Sequence, residues 1–346
     1  MRKYLLPKKN CYKANLHGHT TVSDGDFTPE ELKEMYKSRG YHIVSFTDHE
    51  VLVPHTELCD GEFLALTGYE AHVYNDDSLP KRLTRLTHLN LYPKNAEQRK
   101  MPFFNMKDFL RLDRLPDVKN AVYDGDGNDE KHYSAEGIRA LIEKAHKAGF
   151  IVSYNHPTWS KDNASLYTGL DGVFAMEIYN NGSYVMGHDA YCPYIYEEML
   201  RAGIRLGAVA TDDAHHKVDL FGGVTYVYAD ALCQEAVVSA LSCGDFYASR
   251  GPVINELWYE DGIFHIECSP AKRIVISNSG RRDSKVSVKC AESGYITAAD
   301  FEISELDHFV RFTVTDADGN TANTRGYWRD ELETAPAVSE FNKLRV

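Results

Sequence analysis

The sequence predicts an α/β fold followed by a small all-β sandwich. Along the first two thirds of the 346 residues, strand-like and helix-like segments alternate, which is typical of a parallel sheet that is open or closed into a barrel. From Val253 onward, short alternating runs separated by turn signals such as Asp261-Gly262 are typical of a β-sandwich. We therefore expect two domains, residues 1–250 and residues 251–346.

Capping residues predict the first helix. Thr28 and Glu31 have the spacing of a capping box, and Pro29 lies at the first helical position. The next segment, residues 41–47, is an apolar run of the length expected for a buried strand. It ends at the dipeptide Asp48-His49, so the strand delivers two polar side chains at its carboxyl end.

Polar side chains follow three later strand-like runs in the same way. The runs and the residues after them are 64–69 with Glu70, 150–154 with His156, and 204–210 with Asp213 and His215. Parallel α/β folds place their active sites at the carboxyl ends of the strands. We therefore expect these side chains to lie in one site.

Composition argues against several classes of function. A formal net charge of −13 argues against broad binding to nucleic acids or anionic membranes, which needs clustered basic residues. The seven cysteines form no Cys-x-x-Cys pair, which argues against a disulfide framework or a cysteine-type zinc module. The N-terminus has no apolar run typical of a signal peptide. We expect a cytoplasmic protein with no membrane or stable nucleic-acid partner, and its oligomeric state stays open.

Residues 94–130 do not fit the alternating pattern. The stretch is polar, and it carries Arg99, Lys100, Lys107, Arg111 and Arg114 among its basic residues. Two interpretations are open, since long irregular segments serve either as lids over active sites or as solvated insertions.

The pair His17 and His19 indicates a metal site. On an extended strand, residues two apart point to the same face, so both imidazoles can reach one ion. Imidazole and carboxylate ligands suit zinc, iron or manganese, and a set without cysteine argues against a purely structural zinc site. The candidate ligands are His17, His19, Asp24, His49, Glu70, His88, His156, Asp213 and His215.

The motifs around these residues resemble those of the polymerase and histidinol phosphatase (PHP) family of metal-dependent hydrolases. They are His17-x-His19 with Asp24, Thr47-Asp48-His49, Gly68-Tyr69-Glu70, Asn155-His156-Pro157 and Asp213-Ala214-His215. The resemblance covers about residues 10–250 and implies a distorted, TIM-like (β/α)7 barrel. The predicted sandwich, joined through residues 247–252, resembles a PHP branch that includes carbamate and amide hydrolases.

The resemblance also implies two or three divalent transition metal ions with Glu70 as a shared ligand. The ligands of the three positions would be His17, His19, Glu70 and Asp213; Glu70, His88 and His156; and Asp24, His49 and His215.

Some of these assignments have alternatives. His72 competes with His88, although the run around His88 looks more like the family's strand. Asp212 competes with Asp213, which we favour because the Asp-x-His spacing places both side chains on one face of an extended segment. Asp24 stands where some family members have histidine, which would alter the third metal position.

Hydrolysis of a phosphate ester is the leading hypothesis for the function. Divalent ions would attract a phosphate group to this acidic chain and lower the pKa of a water molecule, and the metal-activated hydroxide would attack phosphorus in line. The expected substrate is small and anionic, such as a nucleotide or a sugar phosphate. Two alternatives stay open: a carbamate or amide hydrolase that uses the same site, and a non-catalytic metal-binding scaffold.

Three further residues are candidates for catalytic roles. Asp48 would move a proton through water or orient His49. Arg250 would clamp an anionic group or form a salt bridge at the domain junction. His188 would face the cavity from a loop, or lie half-exposed on that loop without a function.

Overall fold

The computed structural model describes residues 2–75, 78–80, 83–280, 288–290, 294–302 and 308–333. The strands, in chain order, are β1 Lys3–Tyr4, β2 Asn10–Asn15, β3 Ile43–Phe46, β4 Leu64–Thr67, β5 Tyr69–Tyr74, β6 Leu86–Pro93, β7 Phe150–Tyr154, β8 Ala175–Asn180, β9 Gly207–Thr211, β10 Val224–Ala229, β11 Phe246–Ser249, β12 Ile254–Glu260, β13 Ile263–Ala271, β14 Arg273–Asn278, β15 Val288–Cys290, β16 Ile296–Glu302, β17 Phe309–Thr315, β18 Thr321–Asn323 and β19 Tyr327–Trp328.

Most of the helices are short. They are α1 Pro29–Lys37, α2 Met106–Phe109, α3 Ala135–Lys147, α4 Pro157–Ser160, α5 Ala164–Tyr167, α6 Asn181–Val185, α7 Pro193–Arg201, α8 Gln234–Cys243 and α9 Arg329–Glu333. Across the ranges that the structure describes, none of these helices has both the length and the apolar character needed to cross a membrane.

The described strands form three sheets. A five-stranded sheet has the order β5-β6-β7-β8-β9, and a four-stranded sheet has the order β1-β12-β13-β16. A ten-stranded sheet has the order β15-β14-β17-β18-β11-β10-β2-β3-β4, with β19 paired to β17. The architecture is therefore mixed α/β with a large share of sheet.

Parallel and antiparallel pairs both occur around the predicted barrel. The pairs β2-β3, β3-β4, β7-β8 and β8-β9 are parallel, as the alternating pattern predicts. The pairs β5-β6 and β6-β7 are antiparallel, which corrects the expectation of a parallel sheet. The connection from β5 to β6 spans residues 75–85, which is too short for the crossover that a parallel pair requires.

Two isolated parallel bridges join the five-stranded sheet to the ten-stranded sheet. One bridge links Gly18, after β2, to Ala214, after β9. The other links His49, after β3, to Glu70 in β5. The two sheets therefore meet where the strands deliver their polar residues, although no continuous ladder closes a ring among the described strands.

Capping side chains fix the ends of the principal helices. In α1, Thr28 Oγ1 accepts from the backbone N–H of Glu31, whose carboxylate accepts from the backbone N–H of Thr28, so the predicted capping box is confirmed. In α3, Ser134 Oγ accepts from the backbone N–H of Gly137. Gly149 then has φ +86°, a left-handed conformation that glycine adopts without steric cost and that turns the chain into β7.

The C-terminal strands enclose a second hydrophobic core. Phe312 lies at its centre, with ring centroids 5.4 Å from Phe264 and 5.9 Å from Phe301. These rings belong to β13, β16 and β17, so the four-stranded sheet packs against the far end of the ten-stranded sheet. The expected strand over residues 286–289 lies partly outside the described residues, and the domain division at residue 250 stays a prediction.

Gly207, at the start of β9, lies against the buried ring of Phe246 in β11. A Cβ atom at residue 207 would overlap with that ring, and the packed core leaves the ring little room to move. We expect Gly207→Ala to lower the free energy of unfolding by about 1–3 kcal/mol in urea denaturation. Gly61→Ala is the control, because no atom lies within 4 Å of a Cβ there. Equal losses in the two variants would contradict this packing argument.

Candidate metal centre

The nine predicted ligands meet at one edge of the two joined sheets. Most of them follow the carboxyl ends of strands, as expected for a parallel arrangement. His88 lies in the first half of β6 and still reaches the same edge, because β6 runs antiparallel to both of its neighbours. The residues brought together are His17, His19, Asp24, His49, Glu70, His88, His156, Asp213 and His215.

One group forms around the two histidines of the first motif. His17 Nε2 and His19 Nε2 lie 3.1 Å apart. Oδ1 of Asp213 lies 3.2 Å from the first of these nitrogens and 3.1 Å from the second. Oε1 of Glu70 lies 3.2 Å from His17 Nε2. Four donor atoms therefore converge in the arrangement expected for the first metal position.

A second group forms around the same carboxylate of Glu70. His88 Nδ1 lies 3.0 Å from Glu70 Oε1, and His156 Nε2 lies 3.3 Å from it. The two imidazole nitrogens are 3.2 Å apart. Glu70 therefore lies between the two groups, where a bridging ligand is expected.

Asp24 organises a third group. Its Oδ2 lies 3.4 Å from His49 Nε2, and its Oδ1 lies 3.4 Å from His215 Nε2. His19 Nδ1 lies 3.6 Å from Oδ1 of the same carboxylate. His19 therefore faces two groups, one with each ring nitrogen.

The donor atoms fit divalent metal ions. Atoms that bind one ion lie about 3 Å apart, because each bond from nitrogen or oxygen to the metal is about 2 Å long. Within the described part of the chain, three buried atoms that face the groups have no hydrogen-bond partner: His19 Nδ1, Glu70 Oε2 and Asp213 Oδ1. A buried polar atom without a partner is costly, and ligation of an ion would satisfy it.

Two imidazoles and one carboxylate of the groups are held in the forms that bind metal, whereas nearby carboxylates outweigh burial and raise the pKa of His17, His49, His156 and His215. Burial, with the nearby imidazoles of His215 and His49, lowers the pKa of His19 to about 3. Burial also lowers the pKa of His88 to about 4, despite the opposing charge of Glu70. Burial alone would raise the pKa of the Glu70 carboxyl. The imidazole of His88 and other nearby imidazoles outweigh burial and hold this pKa well below its usual range. Neutral imidazole and ionised carboxylate are the forms that ligate.

Two of the ligands are held in unusual backbone conformations. His156 has φ +22° and Asp213 has φ +53°, a region that residues with a Cβ atom rarely adopt. The backbone N–H of His156 donates to Glu177 Oε2 at 2.9 Å, and that of Asp213 donates to the carbonyl of His17 at 3.0 Å. Such strain costs about 1–3 kcal/mol per residue and persists only where the surroundings impose it.

The buried carboxylate of Glu177 is the main residue that sequence reasoning missed. His17 Nδ1 donates to Glu177 Oε1 at 2.7 Å, which leaves the Nε2 lone pair for a metal ion. Asn180 Nδ2 and Thr211 Oγ1 donate to the same carboxylate at 2.8 and 2.7 Å. A glutamate in the apolar run of residues 173–179 is the signal that could have identified it.

Other polar side chains orient the ligand carboxylates. Asn155 Nδ2 donates to Glu70 Oε1 at 2.7 Å, and Asn180 Nδ2 lies 3.3 Å from Asp213 Oδ2. Asp212 is not part of the groups, because its carboxylate accepts from Tyr36 Oη at 2.6 Å and from backbone N–H groups. Asp213, rather than its neighbour, therefore lies among the side chains of the groups, and its role as a ligand stays a prediction.

His72 and His88 both lie at the site. They are paired across β5 and β6, and their rings stack with centroids 4.3 Å apart. His88 faces Glu70 and His156, whereas His72 Nε2 lies 2.8 Å from His49 Nδ1. His72, His49 and Glu70 also form a group with donor atoms within 4.8 Å of one another, so both histidines stay candidate ligands.

Asp48, the first of the three catalytic candidates, is not among the residues that line the cavity at the metal groups. Its carboxylate accepts from the side chains of Thr20 and Ser23 and from their backbone N–H groups, so it organises that loop. The expectation that Asp48 moves a proton or orients His49 stays a prediction.

Arg250 and His188 are also removed from the cavity. The Arg250 guanidinium carbon lies 4.2 Å from the ring centroid of Tyr179, so this side chain stacks at the junction with the C-terminal strands. His188 is half-buried, and its Nδ1 lies 3.2 Å from Lys161 Nζ. Neither side chain is among those that line the cavity at the metal groups, and their catalytic roles stay predictions.

A cavity of about 570 Å³ opens beside the metal groups. Its mouth is formed in part by residues 111–113, so part of the 94–130 stretch lies over the site as a cap would.

A buried ion pair anchors this region: Lys131 Nζ lies 2.7 Å from Glu50 Oε1, which also accepts from the backbone N–H of His72. The same lysine lies 3.3 Å from Asp108 in α2.

We expect Glu177→Gln to weaken divalent metal binding about 10–100-fold, because the amide cannot accept all the hydrogen bonds that fix His17. Titration calorimetry with Mn²⁺ and Zn²⁺ measures the affinity directly. Glu198→Gln is the matched control, since this carboxylate bonds to Tyr167 and lies outside the metal groups. Unchanged affinity in Glu177→Gln would show that this carboxylate does not position the ligand.

No protein-family model matches the sequence, and no curated protein matches it. Among solved structures, the chain is similar to a two-domain protein from Bacteroides vulgatus that contains a predicted PHP-like metal-dependent phosphoesterase. The identity is 15% over 94% of this chain and 98% of that chain, with a TM-score of 0.42.

Two further solved structures are similar to part of the chain. A protein from Bifidobacterium adolescentis, assigned as a metal-dependent phosphoesterase, is 17% identical over 61% of this chain and 90% of its own, with a TM-score of 0.38. An amidohydrolase from Chromobacterium violaceum, solved with bound sulfate and no metal, is 16% identical over 58% of this chain and 87% of its own, with a TM-score of 0.36. These likenesses are distant, and the chemistry of the site is inferred from its own side chains.

Proposed function

We propose that this chain is a metal-dependent hydrolase of the PHP family that cleaves small phosphate esters. The observation that carries the proposal is the convergence of ten imidazole and carboxylate side chains. Donor atoms within 4.8 Å of one another form overlapping groups from His17, His19, Asp24, His49, Glu70, His72, His156, Asp213 and His215, and His88 Nδ1 lies 3.0 Å from Glu70 Oε1. The adjacent cavity of about 570 Å³ has room for a small substrate.

The proposal includes the fold that the resemblance implies. In it, residues 1–250 form the seven-stranded barrel, with β4 and β5 acting as one strand that is interrupted at Gly68. The bridges between Gly18 and Ala214 and between His49 and Glu70 support this closure. Residues 251–346 form the second domain.

The ligand groups support three metal positions. Imidazole and carboxylate oxygen are ligands for zinc, iron and manganese, and the geometry offers no thiolate that would select a softer ion. The proposed ligands are His17, His19, Glu70 and Asp213; Glu70, His88 and His156; and Asp24, His49 and His215, with His19 Nδ1 facing Asp24.

Charge supports three ions rather than two. Four buried or partly buried carboxylates surround the groups, those of Asp24, Glu70, Glu177 and Asp213. No lysine or arginine among the described residues forms a salt bridge with any of them. Glu177 adds a fourth carboxylate to the three that are among the predicted ligands. Two divalent ions would therefore only neutralise the negative charge of the site. A third ion would leave two positive charges to attract a phosphate group.

Hydrolysis at this site would transfer the phosphoryl group to water. The oxygen of water forms a bond to phosphorus, the bond from phosphorus to the ester oxygen breaks, and the alcohol leaves with one proton of that water. Bound ions would lower the pKa of water and offset the charge of the phosphoryl group. Glu177 and Asn155 hold His17 and Glu70 in place, so that these side chains need not reorganise during the reaction.

Removing a ligand of the first group tests the proposal. We expect a metal-reconstituted enzyme to release phosphate from nucleoside monophosphates or sugar phosphates, and we expect chelator or His17→Ala to reduce the rate at least about 100-fold. His132→Ala is the control, because this imidazole is 71% exposed and lies outside the ligand groups. Phosphate release measured over a panel of esters, diesters, carbamates and amides gives the rates.

Two outcomes of this panel would contradict the proposal. Cleavage of carbamates or amides without cleavage of phosphate esters would assign the same site to carbon–nitrogen bonds. Failure of the wild-type protein to bind any divalent transition metal would exclude both hydrolase functions and leave a non-catalytic role.

The charge balance predicts that the third position matters for phosphate esters. We expect about three ions per chain in the wild-type protein, and we expect Asp24→Asn to lower this ratio towards two and to slow ester hydrolysis. Elemental analysis by mass spectrometry measures the ratio. Asp26→Asn is the matched control, because Asp26 pairs with Arg114 and His216 at the surface. Full activity at two ions per chain would refute the charge argument.

A further inference from the structure

The wall of the cavity has two chemically different halves. One half consists of the metal-group side chains described above. Outside these groups lie four half-buried, carbon-rich side chains, Tyr74, Leu86, Leu112 and Trp159, together with the polar side chains of Arg111, Asp113 and His216. Met186, on the opposite rim, is 66% exposed and adds a flexible apolar chain at the mouth. The four carbon-rich side chains, the apolar half of the wall, have no role in holding an ion.

Strand register places the apolar half directly beside the metal groups. On β5 and β6 the cross-strand pair His72 and His88 is followed, two residues along, by the pair Tyr74 and Leu86. Residues two apart lie on the same face of a strand and about 7 Å from each other. A group bound against Tyr74 and Leu86 would therefore lie about 7 Å from the ligand histidines, within the length of one small substrate.

Trp159 forms the adjoining side of this apolar half. Pro157 starts the short helix α4 directly after the ligand His156, and this turn brings the indole back over the site. Its ring centroid lies 5.0 Å from that of His156 and 5.2 Å from that of His88. The indole remains half-buried, so one part of its surface stays available to a bound molecule.

The cap completes the apolar half from the other side. Leu112 lines the cavity, and the guanidinium carbon of the preceding Arg111 lies 4.5 Å from the ring centroid of Tyr74. Arg111 Nη2 also donates to the carbonyl of Leu79 at 3.1 Å, which fixes the position of the guanidinium. Charges of both signs, from Arg111 and Asp113, lie at this rim, so the rim does not select an anion.

We infer that the substrate carries a planar aromatic ring on the alcohol side of its scissile ester bond, and that Trp159, Tyr74, Leu86 and Leu112 bind this ring. The inference rests on the proposed function and narrows its substrate class. Aromatic rings gain stacking and edge contacts with tryptophan and tyrosine. The hydroxyl groups of a sugar would lose water against these four carbon-rich side chains, so a sugar phosphate fits this part of the wall less well than an aromatic ester.

Binding of phosphonates, which the enzyme cannot hydrolyse, tests the aromatic subsite. We expect metal-loaded wild-type protein to bind phenylphosphonate at least about 10-fold more tightly than methylphosphonate in titration calorimetry. Trp159→Ala should remove most of this preference, measured as the ratio of the two affinities. Leu112→Ser, on the cap, should reduce the preference in the same direction and serves if the tryptophan variant does not fold. Tyr194→Ala, an aromatic residue 68% exposed outside the cavity, should change neither affinity.

A comparison of kcat/KM for three phosphate esters shows which kind of alcohol carries the aromatic ring. Phenyl phosphate, a nucleoside monophosphate and glucose 6-phosphate differ in the alcohol, and we expect both aromatic esters to exceed the sugar ester in kcat/KM. The relative kcat/KM of phenyl phosphate and the nucleoside monophosphate shows whether the preferred ring is attached directly to the ester oxygen or through a ribose.

The two proposals fail in different ways. Phosphonate preference without hydrolysis of any phosphate ester would keep the aromatic subsite and refute the proposed reaction. Ester hydrolysis without the preference, or with a preference that Trp159→Ala and Leu112→Ser leave intact, would overturn the subsite and keep the reaction. Absence of binding by either phosphonate would overturn the subsite as well.

Discussion

The compensation of buried negative charge governs the arrangement at this edge of the sheets. The carboxylates of Glu70 and Glu177 are almost completely removed from solvent, and the side chains around them are imidazoles and amides rather than lysines or arginines. Burying ionised carboxylates in this way is costly unless cations or several hydrogen bonds compensate them. Four donors compensate Glu177, whereas Glu70 retains a buried oxygen without a hydrogen bond. The scaffold is therefore prepared for cations that its own side chains do not supply.

The order of strands and helices could be predicted over most of the chain because local signals specify it. The capping residues of α1 and α3 and the apolar runs of β3 and β7 lie within a few positions of one another, so a single sequence shows them. The direction of β6 could not be predicted in this way. Its antiparallel pairing depends on the short connection after β5 and on contacts with β7, a strand more than fifty residues later in the chain.

The candidate site was predictable where ligands follow strand ends in short motifs, as with His17 and Asp213. Glu177 was missed because it lies 160 residues from its partner His17 and its own segment shows only a buried strand. For Arg250, the sequence shows a charged residue near a strand end but not the ring of Tyr179 on which this side chain stacks. Spacing and periodicity in the sequence do not specify which distant residue a given side chain contacts.

The pairing of β18 with β11 has a consequence for the two predicted domains. Backbone hydrogen bonds run without interruption from the strands around the metal groups into the sandwich, and β1, at the start of the chain, pairs with β12 in the sandwich. Strands from both ends of residues 1–250, β1 and β11, therefore pair with strands of the C-terminal region. Separating the two at residue 250 would leave β11 as an exposed edge, a surface on which other chains can add strands and aggregate. The C-terminal strands thus cover a sheet edge that would otherwise be open to such additions.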